Sequence, residues 1–262
     1  RETQVEGMDV AALFNSLLNN LQQTPHIFAP GGRFIRTGPM RRMMSALEKI
    51  RTIAKKMMVK AKAVAVTEAS GKRLLVDYLA EAPVMDDDLA ADHCATFLLA
   101  GYETTSTTLM WAAYLLATHP SVQQQLFEEV EAAIGISQVP SHETMTSLPF
   151  LHNVAREVLR LFPPVTILSR CAVHDDYLPH SGVFVPAGTD VVSYVFAYHR
   201  DPETWGSDAN DFRPDRWDDA ATMARVGQAG FMPFSLGKRN CIGKEFAMNE
   251  LLASLAVRVR RF

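Results

Sequence analysis

The sequence predicts a mainly α-helical fold with a small β part. Apolar residues recur at helical spacing over most of the chain, in stretches too long to be strands. Extended, β-branched runs are confined to residues 165–193, where Gly and Pro divide them into turns and short strands. Hydrophobic residues fill 48% of the 262 positions and charged residues 21%, a balance that supports a sizeable core. The net charge of −3 gives no global attraction for nucleic acid. Cys94, Cys171 and Cys241 are odd in number and far apart, which argues against a disulfide framework or a zinc knuckle. No apolar run reaches transmembrane length, no secretory signal opens the chain, and no internal repeat is present. The chain starts at Arg1 and stops as its last helical pattern finishes, so both ends are expected to be cut.

Residues 8–22 read as an amphipathic helix, followed by a loop over 23–37 that holds Pro25, Pro30, Gly31 and Gly32. Pro39 opens a second helix, with Met43, Leu47, Ile50, Ala54 and Met57 as its apolar stripe. This region is strongly basic, with Glu48 the one acid between Gly31 and Ala63. Two readings stand: a solvated helix face, or contact with an anionic membrane surface or acidic partner. Residues 72–80 form a short helix ending before Pro83. Asp86, Asp87 and Asp88 then read as a cap and first-turn acids for the next helix, with no chemistry of their own.

That helix runs from about Asp87 to Thr118 and is apolar nearly all round, a pattern of burial. Its middle, Ala100-Gly101-Tyr102-Glu103-Thr104-Thr105, is poor helix-interior chemistry. Glycine costs about 1 kcal/mol there relative to alanine, and a buried carboxylate needs a partner. Such a local conflict marks a candidate functional site. The plainer reading is a locally bent helix whose threonines bond back to earlier carbonyls. Residues 120–134 form the next helix, with Glu128, Glu129 and Glu131 pointing outward, and 136–147 read as a polar loop. A helix over 149–161 carries Glu157 and Arg160 on one face and breaks at Pro163-Pro164. Residues 165–168 are extended, a hairpin covers 177–185 with a turn at 186–188, and 189–198 return toward helix. His199 is not needed as a metal ligand, and the other seven histidines show no H-x-x-x-H spacing.

Residues 231–247 (FMPFSLGKRNCIGKEFA) hold Cys241 in a specific setting. Phe234, Gly237, Arg239, Cys241 and Gly243 give the pattern F-x-x-G-x-R-x-C-x-G, and a helix follows from about Ile242 to Val259 with Glu245 and Glu250 outward. The plain reading of a lone cysteine is a small buried hydrophobe in a Gly-bounded turn. Here the sulfur would lie at a helix start, where unpaired N–H groups favour negative charge. A flat ligand could pass Phe234 and reach it, and Arg239 could neutralise an anionic group on that ligand.

This loop resembles the haem-binding loop of the cytochrome P450 superfamily. Residues 100–105 are similar to that family's oxygen-activation segment, Glu157 and Arg160 to its E-x-x-R pair, and Phe212-Arg213-Pro214-Asp215-Arg216-Trp217 to its meander. The resemblance implies a mainly α P450 fold with a small β part, incomplete here: residues 1–262 as a partial domain, with 1–70 the cavity-roof helices. It implies haem (heme b, iron protoporphyrin IX) ligated by Cys241, with Arg239 and Arg170 pairing its propionates and Phe234, Gly237 and Gly243 forming the loop. It gives Thr104 a hydrogen-bonding role toward dioxygen and Glu103 a place in proton delivery, while Ala100 and Gly101 leave room. Glu157, Arg160 and Arg216 become a buried structural network. Phe97, Val165, Thr166 and Ile167 face the substrate.

The implied activity is monooxygenation of a lipophilic small molecule with O2 and electrons from a reductase docking near Lys238, Arg239 and Lys244. Relatives that isomerise or dehydrate peroxides need no electrons, but usually lack the acid-Thr pair found at Glu103-Thr104. A haem-free piece with a binding or structural role is the third reading. Location stays open: an endoplasmic reticulum membrane for a microsomal member, with any anchor outside this chain, and cytoplasm otherwise.

Overall fold

The structure is a computed structural model, and it describes residues 4–5, 8–23, 37–64, 74–82, 85–134, 141–227 and 229–261. The chain forms two compact units, Arg1–Ala100 and Gly101–Phe262.

In the first unit, β1 (Gln4–Val5) pairs antiparallel with β2 (Met8–Asp9). Helix α1 (Val10–Gln22) starts where the Asp9 carboxylate accepts the Ala12 N–H at 3.0 Å. Helix α2 (Gly38–Val64) packs along α1, and α3 (Leu75–Glu81) packs against α2. Phe14 and Leu17 meet Met40, Met43, Ala46 and Ile50 in one apolar cluster. A second cluster joins Ala54, Met58 and Leu79 to Ala90, Ala91 and Cys94 of α4 (Asp87–Thr118), which opens in this unit. The expected α2 stripe holds at Met43, Ile50 and Ala54, but Leu47 is exposed and Ala46 takes its place. A helix turns 3.6 residues per turn, so positions three and four apart compete for the same face.

The basic face of α2 finds acids within its own unit. Arg51 pairs with Asp88 and Asp92, and Lys55 with Asp88 at 2.5 Å. The hydrogen bond and charge of Lys55 hold the Asp88 carboxyl below its usual range. Asp86 caps α4, its carboxylate accepting the Leu89 N–H at 2.7 Å, and Asp87 and Asp88 stand in the first turn as expected. Arg33 and Arg36, also part of the basic count, lie outside the described residues. An open groove of about 830 Å³ between α1, α2 and the start of α4 is walled by Phe14, Met44, Leu47 and Leu99, with Arg51 and Asp92 at its side.

In the second unit, the rest of α4 is joined by α5 (Pro120–Ile134), α6 (His142–Thr146), α7 (Pro149–Leu161) and α11 (Lys244–Val259). Their core includes Ala112, Leu115, Leu126, Val154, Val158, Leu252 and Ala256. Two expectations are corrected. Helix α4 is not buried all round: Met110 and Tyr114 are 60% and 56% exposed. Apolar character on every side calls for partners but does not supply them, and here the face of Ala112, Leu115 and Leu116 takes the packing. Glu129 does not point outward; it is half-buried, and its two oxygens accept the N–H groups of Phe150 and Leu151, both at 2.8 Å. The carboxylate thereby caps the free donors and the positive end of α7.

The stretch expected as a loop holds α6, started by Ser141 accepting the Thr144 N–H; residues 135–140 lie outside the described set. β3 (Leu168–Cys171) pairs antiparallel with β6 (Asp190–Ser193), and β4 (Asp176–Tyr177) with β5 (Phe184–Val185). Helical pattern was expected from 189, but Val191 and Val192 are β-branched and join the ladder, leaving only Val195–Tyr198 as α8. After α9 (Pro202–Trp205) comes a 3-10 turn, Pro214–Asp218, and then α10 (Ala220–Val226). Among the described residues, no helix is long and apolar enough to cross a membrane.

Candidate functional site

The site lies in the second unit and is built outward from one buried carboxylate. Glu157 and Arg160 are fully buried on α7, and Arg216 is 1% exposed in the 3-10 turn. Arg160 donates to both Glu157 oxygens, Nε at 2.9 Å and Nη2 at 2.8 Å, in a forked pair. Its remaining N–H groups reach the carbonyls of His199, Ala209 and Asp211. Arg216 Nε donates to Glu157 Oε1 at 2.8 Å, the Arg213 amide to the same oxygen at 3.0 Å, and Trp217 Nε1 to Oε2 at 3.1 Å. Arg216 also binds the carbonyls of Trp205, Asp208 and Asp211, and the Asp208 carboxylate. Every guanidinium N–H of both arginines thus has an acceptor, the condition under which a buried charge is tolerated. Glu157 and Arg216 are 59 positions apart in the sequence; only folding makes the network one object.

A histidine extends this object. His199 is fully buried, its Nδ1 is 3.2 Å from the Arg160 carbonyl, and its Nε2 accepts the Met232 N–H at 3.0 Å. Since Nε2 accepts, the ring proton sits on Nδ1 and is donated to Arg160. Burial pushes its pKa down to about 4, with the Arg160 and Arg200 charges adding to the fall. Trp205 and Phe231 lie against it at aromatic contact distances, and Trp217 packs on both of them. Sequence reading excluded His199 only as a metal ligand; its chain neighbours carry no signal of burial.

The cysteine loop follows. Ser235 donates its N–H to the Met232 carbonyl and takes φ 60°, Gly237 takes φ 76°, and a 3-10 turn spans Gly237–Arg239. The Cys241 N–H then closes on the Phe234 carbonyl at 2.8 Å. Helix α11 begins at Lys244, after Gly243, so the sulfur precedes the helix start by a few residues. Cys241 is an exposed free thiol. A Cβ on Gly243 would lie 4.0 Å from its sulfur, an ordinary van der Waals contact. Large apolar side chains flank it in solvent, Ile242 at 85% and Phe246 at 74% exposed. Phe246 thus stands away from the core, while Leu251 and Leu255 of the same helix are buried in it.

The remaining candidates are placed as follows. Helix α4 runs unbroken through residues 100–105. Thr108, one turn on, bonds back to the Thr104 carbonyl at 2.8 Å. Thr104 shares a small cavity of about 30 Å³ with Phe234, Ala247, Leu159 and Pro164. Ala100 and Gly101 are exposed, and a Cβ on Gly101 would meet nothing within 4 Å. Glu103 is half-buried. Arg170 Nη2 reaches Ser235 Oγ at 3.4 Å and so touches the cysteine loop, whereas Arg239 is exposed on it. Val165, Thr166 and Ile167 are exposed. Phe97 belongs to the first unit, where it packs on the Ala54, Met58 and Leu79 cluster.

With this geometry in view, comparison with known proteins is informative. A sequence model of the family "Cytochrome P450" matches residues 8–262. A cytokinin hydroxylase of Arabidopsis thaliana is 42% identical over 171 residues, 65% of this chain and 32% of that protein. Cytochrome P450 72A11 of the same plant is 33% identical over 267 residues, 98% of this chain and 51% of the relative. Cytochrome P450 3A29 of Sus scrofa is 43% identical over 162 residues, 62% and 31% of the two chains. The chain belongs to the cytochrome P450 family. It spans between about a third and a half of the length of the curated relatives it matches.

Proposed function

We propose that this chain is the thiolate-bearing part of a haem-dependent monooxygenase. The overall reaction would be RH + O2 + 2 e⁻ + 2 H⁺ → ROH + H2O, with the electrons from a reductase. The observation that carries the reading is the Cys241 thiol, free and open on a loop whose backbone is fixed by the Phe234 carbonyl. The donor set fits haem: a soft sulfur for iron, exposed Ile242 and Phe246 to cover an apolar macrocycle, and Arg239 and Arg170 to offset its carboxylates. Bound haem would supply the oxygen chemistry, with thiolate ligation favouring O–O cleavage.

The chain's own groups would do the rest. The Cys241 amide bond to Phe234 holds the sulfur's backbone in place. The Glu157 network fixes the 3-10 turn and, through its carbonyl acceptors, residues 205–211. The Thr104 hydroxyl, beside the Phe234 cavity, would hold a proton at the reacting side, and Glu103, half open to water, would resupply it. Lys238, Arg239 and Lys244 form the exposed basic group that suits an acidic reductase surface. The groove of the first unit, with Phe14, Met44, Leu47 and Leu99 on its walls, offers apolar surface of the kind a lipophilic molecule needs.

The test is the absorption spectrum of the haem-supplied chain after dithionite reduction and CO addition. A strongly red-shifted Soret band, lost in Cys241→Ala, is expected. No haem uptake, or a band unchanged by that substitution, overturns the assignment.

A further inference from the structure

The cysteine loop hangs on a chain of hydrogen bonds that starts in the buried ion network. The Arg160 carbonyl accepts from His199 Nδ1, His199 Nε2 accepts from the Met232 N–H, and two residues on the Phe234 carbonyl accepts from the Cys241 N–H. Met232 is held on both sides, because its carbonyl also closes the turn with the Ser235 N–H. We propose that His199, as the neutral Nδ1-protonated imidazole, is a positioning residue that transmits the rigidity of the Glu157–Arg160–Arg216 network to Cys241.

Three features support this. The imidazole is wholly buried, edge-on to Trp205 and tilted against Phe231, and its two nitrogens are bonded to opposite neighbours, so it has one orientation. It is the one described side chain that bonds both α7 and the segment leading into the cysteine loop. It also stays a neutral acceptor at ordinary pH, since burial and the charges of Arg160 and Arg200 oppose its protonation. Only an unprotonated Nε2 can take the Met232 N–H. The consequence for chemistry rests on the haem-thiolate reading of Cys241, but the placement of the loop does not.

Amide hydrogen exchange on the full chain without haem tests it. His199→Leu fills much of the space but offers no acceptor, whereas His199→Gln can place Oε1 where Nε2 stood. We expect His199→Leu to speed exchange at Met232 and Cys241 at least tenfold, with Leu151 and Val158 of α7 within twofold of the parent, and His199→Gln to restore most of the loss. Equal changes in α7 and the loop, no change at Cys241, or equal effects of Leu and Gln each overturn the proposal. If His199→Leu fails to fold, the parent still decides: long-range proton–nitrogen NMR must find the ring proton on Nδ1, and a proton on Nε2 refutes the latch. None of these readouts uses haem, so failure of haem binding would sink the proposed function and leave this inference standing.

Discussion

Glu157 carries more of the second unit than its single charge suggests. Its two oxygens take bonds from Arg160, Arg213, Arg216 and Trp217, and with Arg160 and Arg216 it is withdrawn from water. Glu157→Gln keeps the shape but leaves the Arg160 charge without a carboxylate and Arg216 with Asp208 alone, which costs about 3–5 kcal/mol. Urea unfolding measures that, and a loss under about 1 kcal/mol would show the charges to be solvated. Arg213 is the contrast. Its side chain is half exposed and pairs with Asp208 and Asp215, while only its amide serves Glu157. Arg213→Ala should cost below about 1 kcal/mol in the same experiment. Two glycines divide in the same way. Gly237 sits at φ 76° with open space around it, so Gly237→Ala pays backbone strain alone, about 1–2 kcal/mol. Gly101 sits in the interior of α4 with nothing near, so Gly101→Ala should stabilise by up to about 1 kcal/mol. Paired thermal melts of the two variants should move in opposite directions.

At the scale of the element, α7 is the helix that the second unit is arranged around. Its apolar side fills the core, its C-terminal turn carries the ion network, and its N-terminus is closed from another helix by Glu129. Glu129→Ala removes acceptors from two amides and should cost about 1–2 kcal/mol, in the range of other N-cap losses. Faster exchange of the Phe150 and Leu151 amides, with Val158 unchanged, is the expected sign; uniform change along α7 would mean that the cap is not local. Helix α4 shows the limit of composition. An apolar surface on all sides predicted burial, yet Met110 and Tyr114 face solvent. Periodicity reports which faces need cover, not which faces receive it.

Over the whole molecule, pH reads out the buried histidine. The unfolded chain takes up a proton at His199 near 6.5, but the folded chain does so only near 4. Protons therefore favour the unfolded state in that window. Stability is complete above about 6.5 and falls as pH drops toward 4, by about 3 kcal/mol at order of magnitude. His152, also lowered by burial, acts in the same direction. Urea midpoints at pH 7 and pH 4.5 measure the loss, and His199→Gln should flatten most of it. An equal slope in the variant would place the titration elsewhere. Carboxylates held low, among them Asp201 and Asp219 through their Thr204 and Thr222 partners, matter only below that range.

The sequence by itself determined the long helices and the family, and it named candidates for the site. Local spacing is enough for these: α4 and α7 begin and end where caps, prolines and apolar periods put them, and the F-x-x-G-x-R-x-C-x-G run names Cys241 within ten residues. The strand Asp190–Ser193 was less legible, because a four-residue ladder depends on the partner Leu168–Cys171 more than on its own pattern. Tertiary structure alone decided three things. It gave the α2 cations their acids on α4, it turned Glu129 inward as a cap, and it joined His199 to Arg160 and Met232. Each is a contact between residues more than twenty positions apart. A single polar side chain leaves no period in the sequence; its role is set by which backbone group folding brings within three ångströms, and by how little water is left there to compete.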